Sequence, residues 1–217
     1  RSVAGTLTFA NIESVVACFT PGILIATRAG QVAVENLQVG DLVMTRDHGL
    51  QPIRWIGRRT ISAQELRANP SLQPVLISQG ALGEGLPLQD TLVSPQHKML
   101  VESSVIGYLF GEDEVLVPAK HLIGLDGVEM QSCSAVTYLH ILFERHEVIL
   151  SNGTWSESFM PGDQTEAGFD TEQRRELLTI FPQLQGKALG FIAARPSLKA
   201  YEARVLVSAL RPQRIMA

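Results

Sequence analysis

From Thr6 to about Asn152 the chain is written as short apolar runs cut by turn residues, a pattern that suits β structure and little else. The runs TLTFANIESVVA, ILIAT, DLVMT, PIRWIG, PVLIS, TLVS, EVLVPA, AVTYLHILF and EVILS are of strand length and rich in β-branched residues. Pro21-Gly22, Ala29-Gly30, Asp47-His48-Gly49, Asp126-Gly127 and Asn152-Gly153 separate them with turn chemistry. Few helical stretches intervene, so there are no βαβ units and the expectation is an all-β domain. Ala63–Ala68 and Ala119–Ile123 read as single helical turns. With 217 residues, 45% of them hydrophobic and 18% charged, such a domain can bury a core.

After Pro161 the period changes. TEQRRELLTIFPQL sets Leu177, Leu178 and Phe181 at helical spacing until Pro182 stops the run. SLKAYEARVLVSALR predicts a second helix with Leu198, Tyr201, Val205 and Leu206 on one face and Ser197 as N-cap. The segment 160–217 is therefore expected to be a small helical appendage docked on the β domain.

The totals exclude some function classes. A net charge of −4 with scattered Lys and Arg offers no footprint for nucleic acid. No apolar run approaches the ~20 residues of a membrane helix. The N-terminus lacks a signal-peptide pattern, and the chain reads as a fragment of something longer. Two cysteines, Cys18 and Cys133, form no disulfide framework; they pair once or both stay reduced. Cys133, His140 and His146 fit no common zinc spacing.

VVACFTPG places Cys18 directly after an apolar run and before a turn. Two further segments carry chemistry-bearing residues: TLVSPQHKMLV with Ser94 and His97, and VTYLHILFERHEVILSNG with His140 and His146. Each residue also has an ordinary reading. Cys18 suits a small core position, His97 a loop after Pro95, and His146 a strand turn. His140 alternates with Leu139 and Ile141 and is expected to face solvent or a polar neighbour. Asp41 reads as a turn former and Asp90 as a weak second base.

Together, CFTPGILIATRAGQVAVENLQVGDLVMTRD, the Ser-x-x-His of TLVSPQHKMLV and the block ending in Asn-Gly resemble, in order, the Hint domain of Hedgehog proteins and inteins, in its bacterial branch outside true inteins. The resemblance covers Cys18 to about Phe159. It implies a mainly β, horseshoe-shaped Hint fold over 18–159, with 1–17 as flank and 160–217 as the helical appendage. It also implies autoproteolysis at Ala17–Cys18 through a thioester, in a single turnover with no cofactor and no metal. Cys18 would be the nucleophile, His97 the proton donor to the leaving amine, Ser94 the orienting hydroxyl and His146 a second catalytic histidine. A fixed donor to the developing oxyanion supplies on the order of 3 kcal/mol in sites of this kind. The partners implied are the flanking segments of the same polypeptide and a small nucleophile such as water, a thiol or an amine. By analogy with bacterial relatives, the setting is a larger secreted or surface protein.

The chain departs from the intein pattern near its end. Where a splicing intein closes with His-Asn, this sequence has Trp155-Ser156-Glu157-Ser158-Phe159, and a glutamate has no amide nitrogen to close a succinimide. That argues against full splicing and leaves the N–S acyl shift followed by attack on the thioester. Nothing in 160–217 connects to the sterol chemistry of Hedgehog proteins. Retention of the flank before Cys18 implies a slow or triggered reaction, or a catalytically silent module kept for structure or interaction.

Overall fold

The computed structural model describes residues 17–160 and 192–210. The strand expected from Thr6 and the helix expected around Leu177 lie largely or wholly outside those residues.

Thirteen strands are defined among the described residues, mostly short and all pairing antiparallel. They are β1 (Leu24–Thr27), β2 (Gly30–Ala33), β3 (Leu42–Thr45), β4 (Gly49–Pro52), β5 (Trp55–Ile61), β6 (Val75–Ile77) and β7 (Thr91–Val93), then β8 (Lys98–Glu102), β9 (Glu114–Pro118), β10 (Val128–Met130), β11 (Val136–Leu142), β12 (Val148–Ser151) and β13 (Thr154–Glu157). The largest sheet runs β2-β1-β3-β12-β13-β8-β9, with β4 added beside β3. A smaller sheet is ordered β10-β6-β7, and β11 pairs with β5 in a long two-stranded ribbon. The strand and turn punctuation of the sequence is therefore realised as a mainly β fold. Strands β2, β4, β8, β10 and β13 were not separately legible, because they are short or carry few β-branched residues.

Turn chemistry sets the registers. Asn152 and Gly153 both adopt positive φ, +46° and +78°, as the tight hairpin between β12 and β13 requires. The buried Asn152 side chain also ties distant strands. Its Oδ1 accepts from the Leu24 backbone N–H at 2.8 Å and from Gln89 at 2.9 Å, and its Nδ2 donates to Thr91 Oγ1 at 2.9 Å.

Three short helices cross the sheets: α1 (Ala63–Ala68), α2 (Ser104–Phe110) and α3 (Ala119–Leu122). A reciprocal capping box between Ser62 and Glu65 starts α1. Ser103 caps the start of α2, and left-handed Gly111 ends it.

The last element, α4 (Ala200–Leu210), packs against α2 and α3. Its buried face is Ala203, Leu206 and Val207, whereas Tyr201 and Val205 are exposed. This corrects the expected face, because the helix begins at Ala200 and the segment before it is extended. Ser197 forms a parallel bridge with Leu116 instead of capping the helix, and Leu198 is buried as part of that bridge. At the helix start, Glu202 accepts the Lys199 backbone N–H at 2.7 Å. Leu206 and Ala203 join the main core with Ile25, Val43, Val93, Met99, Val117, Leu139 and Ile149. Fully burying such an aliphatic side chain contributes roughly 1.5–3 kcal/mol, so this arm is part of the folded unit.

Candidate active site

Phe19 places the site. Its backbone exchanges two hydrogen bonds with Leu139 of β11, at 2.9 and 2.8 Å, and bridges Val93 at the end of β7. Cys18 is thereby held between Ser94, which follows β7, and His140 on β11. The Ser94 backbone N–H donates to the Cys18 carbonyl at 3.0 Å, and the Cys18 N–H, the amide of the Ala17–Cys18 bond, donates to Ser94 Oγ at 3.1 Å.

His140 meets the other side of the same bond. Its Nδ1 is 3.1 Å from the Ala17 carbonyl oxygen, and Cys18 Sγ lies 3.5 Å from Nδ1 and 3.6 Å from Nε2. A carbonyl only accepts, so this contact puts the ring proton on Nδ1 and leaves Nε2 basic. The nearly equal sulfur distances set the thiol across the ring edge, in line with neither nitrogen.

Aromatic neighbours hold the ring. Trp55 stacks on His140 with centroids 6.4 Å apart, and Phe159 meets it edge-on at 5.1 Å. His140 pairs with Gly57 across the ribbon, and a Cβ on Gly57 would overlap the Trp55 indole.

Of the two surroundings expected for His140, solvent or a polar neighbour, the structure has the second: the ring is 6% exposed and faces the Ala17 carbonyl and the Cys18 thiol. In β11 nearly every position is buried on both faces, so alternation carries no information about solvent. The signal was present in AVTYLHILF, a continuous apolar run of the kind that marks a doubly covered strand.

His97 is brought to the same region and is fully buried. The turn Ser94–His97 is closed by its N–H on the Ser94 carbonyl at 3.0 Å, and Ala119 N–H fixes its carbonyl at 2.8 Å. The ring packs edge-on against Phe19 with centroids 4.4 Å apart, and neither ring nitrogen has a hydrogen-bond partner among the described residues.

His146 has other partners than the Ala17–Cys18 bond. Its Nδ1 accepts the Ala194 backbone N–H at 3.1 Å, and its Nε2 is 3.4 Å from Glu157 Oε2, a long electrostatic contact with poor hydrogen-bond geometry. Glu157, noted in the sequence only for standing where an asparagine would be, is a buried carboxylate. It accepts the Lys98 backbone N–H on Oε1 and the Lys98 ammonium on Oε2, both at 3.0 Å. Asp41 accepts the Gln38 N–H as a turn former, and Asp90 is engaged by the Gln79 N–H at 2.9 Å. Cys133 donates its thiol to Gln73 at 3.1 Å, and both cysteines are thiols in the structure.

Burial sets the proton chemistry. It pushes the Cys18 thiol well above its ordinary value, opposed by the Ser94 hydrogen bond and the Arg59 charge. Burial lowers His97 to about 4, with Glu157 opposing the shift and Lys98 and His140 adding to it. His140 is likewise lowered to about 4 by burial, against the hydrogen bond to Ala17, with Arg59 lowering it further. Burial also works to raise the Glu157 carboxyl. The His146 ring and the Lys98 ammonium outweigh it and hold that group below the carboxylate range. At neutral pH the site is a neutral thiol, two neutral imidazoles and one buried carboxylate.

A sequence model described as the Hint domain matches residues 17–163. Similar solved structures include a splice-inactive variant of the AceL NrdHF class 3 split intein, at 12% identity, covering 66% of this chain and 98% of that one, with a TM-score of 0.42. The gp41-1 intein matches at 12% identity over 66% and 98% of the two chains, with a TM-score of 0.38. A bacterial intein-like domain from Clostridium thermocellum matches at 15% identity over 65% and 98%, with a TM-score of 0.40. Among curated proteins no sequence matches.

Proposed function

This chain belongs to the Hint domain family, and from that premise we propose that it processes its own backbone at Ala17–Cys18 by an N–S acyl shift. The observation that carries the reading is that one histidine ring serves both reacting atoms. His140 Nδ1–H faces the Ala17 oxygen while the Cys18 sulfur lies beside the same ring.

The thiol proton passes to His140 Nε2 as sulfur bonds to the Ala17 carbonyl carbon. The oxyanion formed is held by Nδ1–H, a preorganised donor of the kind worth on the order of 3 kcal/mol. As the carbon–nitrogen bond breaks, the proton that His140 took from the thiol passes to His97, and the imidazolium so formed delivers it to the Cys18 nitrogen, which Ser94 Oγ orients through its hydrogen bond to that N–H. The products are the Ala17 acyl group on sulfur and the α-amine of Cys18, with both imidazoles neutral again. Attack by water, a thiol or an amine then releases a fragment ending at Ala17 and restores the Cys18 thiol. The reactants are segments of the same polypeptide, and with Glu157 in place of an asparagine the sequence stops short of splicing.

Burial of the thiol favours a second reading, a catalytically silent module, because a thiol pushed up and two imidazoles lowered to about 4 resist proton transfer in a closed site. Intact mass of the chain with and without dithiothreitol, beside Cys18→Ala, separates the two. Thiol-dependent release of a fragment ending at Ala17, abolished by Cys18→Ala, is the expected outcome. Full mass retained in both proteins from mildly acidic to mildly basic pH would leave the silent module.

A further inference from the structure

We propose that the segment running from Ala194 into α4 completes this site from outside the family-matched region. The Ala194 backbone N–H fixes His146 as its Nε2–H tautomer, which makes His146 a positioning residue for Glu157 and not a second proton donor. The functional consequence rests on the autoprocessing reading above; the tautomer does not.

A backbone amide only donates, so the 3.1 Å contact from Ala194 requires a lone pair on His146 Nδ1. The remaining proton of the neutral ring is on Nε2, which points at Glu157 Oε2. Nδ1 is thereby committed, Nε2 lies within electrostatic reach of the carboxylate at 3.4 Å, and the side chain is wholly buried. Glu157 in turn grips Lys98 at its backbone N–H and at its ammonium. Lys98 follows His97 directly, so the carboxylate pins the chain at the exit of the Ser94–His97 turn. The path is continuous: Ala194 to His146, to Glu157, to the Lys98 amide, to His97.

The arm is held firmly enough to do this. Arg195 pairs with both oxygens of Asp47, at 2.7 and 2.9 Å, and with Glu114 at 2.7 Å. Leu116 exchanges backbone bonds with Pro196 and Leu198 at 2.8 and 2.9 Å, and α4 buries its inner face beyond them. The matched region ends at residue 163, before any of these contacts.

Charged and titratable groups act on Glu157 from each element packed against it: Lys98 from β8, His97 from the turn before β8, and His146 from the loop before β12. Its own charge reaches both Cys18 and His97. Loss of the carboxylate therefore removes a charge that opposes the burial shift of His97.

Two variants separate positioning from proton donation. The amide nitrogen of His146→Gln still donates toward Glu157 but cannot relay a proton, whereas His146→Leu does neither. His146→Gln is expected to keep the dithiothreitol-dependent cleavage rate within a few-fold of the native chain. His146→Leu and Ala194→Pro are each expected to lose on the order of 10- to 100-fold, the size of a small misplacement of a reacting group. Equal loss in the Gln and Leu variants would overturn the proposal. The second readout needs no cleavage: nitrogen-15 spectra of histidine-labelled full-length Cys18→Ala protein. His146 should show a bare Nδ1 and a protonated Nε2, and the Lys98 amide should exchange faster with solvent in His146→Leu than in His146→Gln. A protonated Nδ1, or Lys98 exchange indifferent to both substitutions, overturns it even if the native chain never cleaves.

Discussion

Lowering the pH should destabilise this domain through two particular histidines. His97 and His140 each have an unperturbed value of 6.5 and a folded value of about 4, because burial disfavours their charged forms. Their folded pKa is depressed, so the unfolded chain binds more protons throughout that interval. The stability they contribute is complete above the unfolded value and is lost as pH falls toward the folded one. Between about pH 7.5 and about pH 5, linkage gives a loss of about 2 kcal/mol for each histidine and about 4 kcal/mol for the pair. That is a large share of the 5–15 kcal/mol typical of a whole domain. The assay is urea unfolding followed by tryptophan fluorescence across this range, in a Cys18→Ala background so that no cleavage intervenes. His97→Phe should remove about half of the part due to these two rings, and a double His97→Phe/His140→Leu variant nearly all of that part, leaving the loss from the carboxylates and other histidines, which is common to every sample. An acid loss of the same size in the native-like background and in the double variant would refute the argument that burial holds these rings neutral.

Gly57→Ala should destabilise the domain by about 1–3 kcal/mol and alter the near-ultraviolet circular dichroism, because the added methyl overlaps the Trp55 indole that braces His140. Unchanged spectra and stability would show that Trp55 does not hold that place. Asn152→Ala should cost about 3 kcal/mol in thermal or urea unfolding. It puts a non-glycine Cβ without a polar side chain at φ +46° and strips the Leu24 amide of its acceptor. A loss below about 1 kcal/mol would mean that water replaces the side chain there.

The sequence by itself determined the β class, because strand-length apolar runs and Asn-Gly or Asp-Gly turns are local signals that survive in any tertiary context. It also singled out Cys18, Ser94 and His97; the fold sets Ser94 on the Cys18 backbone and packs the His97 ring against Phe19 beside it. What it left open or misjudged depends on what covers each strand. For His140 the alternation left solvent or a polar neighbour open; β11 is covered on both sides, so the ring turns onto the bond between Ala17 and Cys18. The helical face near the end was misassigned for a similar reason, since Ser197 and Leu198 were claimed by strand pairing with Leu116 before the helix could begin. Glu157 was read only as standing where an intein has an asparagine, and His146 as a second catalytic histidine. Tertiary structure makes them one buried pair, because Lys98 and Ala194, far away in the chain, supply the hydrogen bonds that a buried carboxylate and an imidazole must find.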